Sequence, residues 1–102
     1  MKKIELNGNK YKLVKSQYAN NGRLYLGLMR GTNLYSDITI NLSDFDLEDD
    51  NHVFISGDLD EKLFEGLQEL GFLSEIIGIA QHNFGRYKLV MVDLDLVNEY
   101  AV

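Results

Sequence analysis

The sequence contains no cysteine, no proline and no tryptophan. Without cysteine there is no disulfide framework, no thiolate metal site and no cysteine nucleophile, a usage that agrees with a reducing compartment. Without proline, no segment reads as a rigid linker. Long apolar runs are missing as well. The opening Met1-Lys2-Lys3-Ile4-Glu5-Leu6 alternates charged with apolar residues, unlike the continuous apolar core of a signal peptide, and no stretch approaches the length of a membrane helix. These absences predict a soluble, unexported chain in the cytoplasm, where the sequon at Asn41 meets no glycosylation route.

Catalytic signatures are equally sparse. His52 and His82 are the only histidines, and neither has a neighbouring acid at a metal-binding or catalytic spacing. No glycine arrangement matches a phosphate loop or a dinucleotide fingerprint, and there is no Gly-x-Ser-x-Gly elbow. Asp44-Phe45-Asp46-Leu47-Glu48 imitates the start of a calcium loop, but its sixth position is Asp49 rather than glycine and its twelfth is Ile55 rather than glutamate. Asp58 with Asp60, and Asp93 with Asp95, are carboxylate pairs, yet the first sits at a helix start where acids favour the dipole. The reading is a protein that is not an enzyme and takes no metal or cofactor.

What is present is an ordinary globular composition. The 102 residues are 45% hydrophobic, 11% aromatic and 25% charged, enough apolar material for one modest core and a single domain over 1–102. Turn and strand signals order the first part. Ile4 and Leu6 alternate with charged residues, Asn7-Gly8 supplies a two-residue hairpin turn, and Tyr11-Lys12-Leu13 returns. Asn20-Asn21-Gly22 and Gly31-Thr32-Asn33 mark two further turns, around Leu24, Leu26 and Leu28. The run from Ser36 to Leu42 then alternates, with Ile38, Ile40 and Leu42 expected inward and Asp37, Thr39 and Asn41 outward. The first 42 residues thus predict an antiparallel meander of about four strands, whose tyrosines serve for packing.

Residues 43–51 read as an exposed acidic loop and His52 to Ser56 as a short strand. Leu59, Leu63, Leu67 and Leu70 recur at helical spacing, with Asp58 and Glu61 as a capping box and Gly71 as the stop. Ile76–Ala80 and Tyr87–Val92 read as strands around Asn83-Phe84-Gly85, the second buried on both faces through Leu89-Val90-Met91-Val92. The fold class is therefore α+β: a mainly antiparallel sheet, with two to three strands after the meander and one amphipathic helix packed on it.

The net charge of −6 is unevenly distributed. Residues 1–35 hold seven basic residues against Glu5 alone, whereas residues 36–75 hold twelve acids against Lys62 alone. Glu61, Glu65 and Glu69 lie four apart on the solvent side of the predicted helix, where each like-charge pair costs about 0.2–0.5 kcal/mol. Together with Asp44, Asp46, Glu48, Asp49 and Asp50 they are the candidate partner-binding residues, an anionic surface suited to a basic protein groove. The alternative role for this charge is a solvated face that maintains solubility. Direct nucleic-acid binding is disfavoured, because counterion release needs lysine and arginine on the contact face. One small exception is a basic strand edge of Lys10, Lys12 and Lys15 with Tyr11 and Tyr18, although edge lysines more often prevent strand addition.

The opening through Val14, the Asn21-Gly22-Arg23-Leu24-Tyr25-Leu26-Gly27-Leu28 stretch and Asp37-Ile38-Thr39-Ile40-Asn41-Leu42 resemble a family of roughly hundred-residue proteins of unknown function from phages and conjugative elements of Gram-positive bacteria. The likeness continues through the helix to Tyr87-Lys88-Leu89, while Leu94 to Val102 departs from it in a longer, more hydrophobic tail. The resemblance carries no catalytic residues. It implies a setting in which small acidic proteins antagonise host defence, as anti-CRISPR proteins do, and hence a host protein as partner, with a type II Cas nuclease the leading case. A Cas effector holds nucleic acid in a cationic channel that spaced carboxylates can occupy. The second reading is a structural or accessory module of a mobile element, self-associating through a sheet edge or through Leu94, Leu96, Val97 and Tyr100.

Overall fold

The computed structural model describes residues 2–101, which form eight strands and two helices. Strands β1 (Ile4–Leu6), β2 (Asn9–Gln17), β3 (Leu24–Arg30) and β4 (Asn33–Asp37) make one antiparallel sheet in chain order. Strands β5 (Thr39–Ile40), β6 (His52–Ile55), β7 (Gly78–His82) and β8 (Gly85–Met91) make a second, ordered β5-β6-β8-β7. The α+β class is as the sequence predicts; the fourth strand of the first sheet is Asn33–Asp37 rather than the Ser36–Leu42 run, and the division into two sheets is not foreseen. The first hairpin turns at Asn7 and Gly8, both at positive φ (51° and 81°), the twist that suits a two-residue antiparallel turn.

The division falls inside the alternating run that reads as one strand. Ile38 donates its N–H to the Leu26 carbonyl beside the first sheet and accepts from Ser56 N–H beside the second, each at 2.9 Å. One residue thus belongs to both ladders, and the chain changes sheet there. The change also overturns an expected orientation, because Thr39 is buried rather than turned to water. Its hydroxyl oxygen accepts from Leu26 N–H at 3.2 Å and lies 3.0 Å from the Tyr18 hydroxyl, which satisfies the polar group inside the core.

Helix α1 (Glu61–Glu69) packs Leu63, Phe64 and Leu67 into the main core. Its cap is Asp60, whose carboxylate accepts from Lys62 N–H at 2.8 Å, and not the predicted Asp58. Leu70 closes the helix with its side chain 48% exposed, outside the buried stripe it was expected to continue. Gly71 follows at φ +90°, its N–H bonded to the Gln68 carbonyl and Phe72 N–H to that of Leu67, a Schellman stop. Gly66 in mid-helix has a packing reason. A Cβ there would meet Leu6 Cδ2 at 2.7 Å, so its absence lets β1 approach the helix, against about 1 kcal/mol of helix propensity.

Two further expectations are corrected. The late strands are shifted to Gly78–His82 and Gly85–Met91, and the latter is not buried on both faces, since Met91 is 39% exposed. The expectation of one helix is the second, because the apolar tail is helical as well. It forms α2 (Leu94–Tyr100), capped by the Asp93 carboxylate accepting from Leu96 N–H, with Val97 fully buried and Leu94, Leu96 and Tyr100 packed on the main core. Tyr100 meets Phe72 edge-on, ring centroids 5.1 Å apart. α2 also takes Lys15 of β2, whose ammonium donates to Asn98 Oδ1, and Tyr11 is buried, so these residues do not form a basic strand edge. Among the described residues no helix is long and apolar enough to cross a membrane.

Candidate functional site

The acidic segment 43–51 has neither helix nor strand, yet it is fastened at three points. Phe45 and Leu47 turn inward onto a second, smaller cluster made by Leu42, Phe54 and Ala80 with Tyr87 and Leu89. The Phe45 ring stands edge-on to Phe54, centroids 5.8 Å apart, and to His82 at 6.0 Å. The third point is Arg23. Its guanidinium donates to the Leu42 carbonyl at 2.9 Å and to the Phe45 carbonyl, bonds from a cation to backbone that bind more strongly than neutral ones.

With Phe45 and Leu47 inward, Asp44, Asp46, Glu48, Asp49 and Asp50 are all exposed. The segment therefore does alternate, apolar side chains in and carboxylates out, although the density of acids hides that pattern in the sequence. Among the described residues, no lysine or arginine comes within 4.0 Å of these five carboxylates. Arg23 at the loop's base is engaged with carbonyls and does not pair with the carboxylates. Asp49 lies 3.8 Å from Nε2 of the buried His52, too far for a hydrogen bond.

Asp46, Glu48, Asp49 and Asp50 line a cleft of about 540 Å³ together with Lys15, Arg23 and the Asn21-Gly22 turn. Asp44 lies outside the cleft. Asn21 Nδ2 donates to Asn41 Oδ1 at 3.0 Å and Asn41 Nδ2 donates to Asn20 Oδ1 at 2.9 Å, which ties that turn to the approach of the acidic loop. The cleft gathers charges of both signs, and among the described residues neither Lys15 nor Arg23 pairs with a carboxylate within 4.0 Å.

The acids of α1 are elsewhere. Glu61, Glu65 and Glu69 are exposed, as the helical period predicts. Glu61 accepts from Lys88 Nζ at 2.6 Å, and the same ammonium stands 4.4 Å from the centre of the Phe64 ring. Lys88 therefore points to the α1 side of β8, whereas its neighbours Tyr87 and Leu89 point to the loop side, where Phe45 and Leu47 pack. The second sheet thus separates the two groups of acids. The eight candidate residues do not make one surface; they make a loop patch on one face of that sheet and a helical row on the other. The sequence offers a signal for this split only through β8, whose alternation sends Lys88 to one side and its neighbours to the other.

Tyrosines near the crossing between sheets have displaced acidities. Burial, then the hydrogen bond to Asp37 and the negative charge of that carboxylate, hold the Tyr25 phenol well above its ordinary value; the phenol donates to Asp37 Oδ1 at 2.6 Å. Burial likewise raises Tyr18 and Tyr11.

A search of protein-family models, curated proteins and solved structures finds no match to this chain. The functional reading rests on the residues and their placement.

Proposed function

We propose that the protein is a stoichiometric inhibitor of a host nucleic-acid enzyme, with a type II Cas effector as the leading case, and that it docks through Asp44, Asp46, Glu48, Asp49 and Asp50. The reading is supported above all by one observation: five exposed carboxylates, without a lysine or arginine partner among the described residues, are carried on a loop whose apolar side chains and backbone carbonyls are fixed. A solubilising face needs no such anchoring. Fixed negative charges at a spacing set by the backbone suit a cationic groove that otherwise holds phosphates, because the positions are prepared before contact and little ordering remains to be done on binding. The row on α1 faces away from this patch and takes no part in the same contact.

Titration of target-DNA cleavage by a type II Cas effector tests the reading. Inhibition at low salt that weakens as salt screens the carboxylates is the expected result. A variant with Asp44, Asp46, Asp49 and Asp50 all replaced by Asn should fold and fail to inhibit. Full inhibition by that variant, or none by the unaltered protein, refutes the proposal.

A further inference from the structure

Each of the two sheets ends in edge strands, and three of the four edges are blunted. β1 is three residues long with Glu5 at its centre, β5 is two residues long, and β4 ends in Asp37 and faces a register shift between Leu28 and Met29 of β3. Short length, charge and irregular register are the usual means by which an edge avoids accepting another strand. β7 has none of them. It pairs with β8 in unbroken register over five residues, Gly78 with Leu89 through His82 with Gly85. From Ile76 to Gly85 there is no lysine, arginine, aspartate or glutamate, and the chain has no proline to interrupt the edge.

The pairing register also fixes which backbone groups are free. Asn83 and Phe84 form a two-residue turn closed by the His82–Gly85 pair, and in such a hairpin the closing pair is hydrogen-bonded. Bonded and non-bonded pairs alternate from there, so Ala80 and Gly78 direct their groups to β8 while Ile79 and Gln81 direct N–H and C=O to the open side. Among the described residues no other backbone group meets those of Ile79 or Gln81. Around this edge stand the exposed side chains of Ile76, Ile77 and Ile79, with Phe84 at 106% exposure on the turn.

We infer that β7 pairs antiparallel with β7 of a second copy of this chain, joining two four-stranded sheets into one of eight. The occupant follows from two features. An isologous antiparallel pairing brings Ile79 and Gln81 of each copy opposite the same unsatisfied groups of the other, so one contact repairs both edges. The charge distribution points the same way: two chains each of net charge −6 repel overall, and the uncharged strip from Ile76 to Gly85 lets them approach without opposing carboxylates. The edge carries none of the acidic loop's carboxylates and none of the cleft's lining residues, so dimerisation and the proposed inhibition are tested separately.

Sedimentation of the full chain over a range of concentrations tests the inference. The mass should rise from 11.7 kDa toward twice that value, and added salt should favour the dimer, the opposite sign to its effect on nuclease binding. Ile79→Lys places a charge on the edge and should hold the protein monomeric. Ile79→Pro removes only an N–H that points away from β8 and should do the same; circular dichroism identifies which variant has kept its fold. Slower hydrogen exchange at Ile79 and Gln81 as concentration rises would locate the contact. A mass of 11.7 kDa at every concentration and salt overturns the inference. So does a dimer that persists in a folded Ile79 variant, or protection of those two amides that appears only when a nuclease is added, which would assign the edge to a partner's strand.

Discussion

The acidic loop and the acidic face of α1 carry the same kind of charge by different physical means. On α1 the carboxylates occupy a regular period, the helix is held by Leu63, Phe64 and Leu67, and Lys88 compensates the first acid of the row. In the loop there is no repeating backbone hydrogen bond to hold the chain. Its shape comes from Phe45 and Leu47 on the smaller core and from Arg23 bonded to two carbonyls. A helix presents charge as a by-product of burying its other face, whereas an irregular loop must be anchored residue by residue. The presence of those anchors beneath uncompensated acids is what distinguishes the loop from an ordinary solvated surface.

The contrast can be broken most forcefully from the helix side. Leu67→Ala empties a buried position in the shared core and should cost about 2–5 kcal/mol in urea unfolding, with the loop lost together with the helix. Arg23→Met acts on the loop alone. Removing a cation that donates to two carbonyls should cost about 1.5–3 kcal/mol, and limited proteolysis should then cut within residues 43–51 while α1 stays protected. Equal protection of the two segments in that variant would show that Arg23 is not the anchor.

A smaller effect probes the point where the chain leaves for the loop. Tyr25→Phe removes the bond to Asp37 just before the crossing and should cost about 0.5–1.5 kcal/mol at neutral pH. The folded phenols of Tyr25, Tyr18 and Tyr11 all titrate above the ordinary phenol value of about 10, so their contribution is complete below that pH and is lost as pH rises through the folded values. Urea unfolding above pH 10 should therefore show falling stability, with a shallower fall in Tyr25→Phe. The smallest effect sharpens the comparison directly. Glu65→Gln relieves two like-charge neighbours on α1 and should stabilise by a few tenths of a kcal/mol, leaving inhibition unchanged if only the loop patch docks.

Local signals in the sequence specify the first hairpin, the helix at 61–69 and its glycine stop, because turn chemistry and helical period act over a few residues. Features that depend on distant partners are not legible in the same way. From Ser36 to Leu42 the period is uniformly two, and nothing in it marks Ile38 as the place where the partner changes from β3 to β6. Thr39 reads as an outward residue until Tyr18 and Leu26 are brought to its hydroxyl. The second helix does carry a local signal, Asp93 ahead of Leu94 and Val97, but the continuous apolar residues before it favour a strand ending in a loose tail. As for the site, the loop acids are visible as a cluster, whereas their separation from Glu61, Glu65 and Glu69 requires the sheet between them.

The double attachment of Ile38 has a consequence for how the molecule comes apart. Its N–H is committed to one sheet and its C=O to the other, and Leu13, Leu28, Val53 and Val90 from the two sheets share a single core with Val97. Neither sheet can open without uncovering the apolar face of the other. Melting should accordingly be a single all-or-none transition, with a calorimetric enthalpy equal to the van't Hoff value, so that two sheets of unlike topology behave thermodynamically as one body.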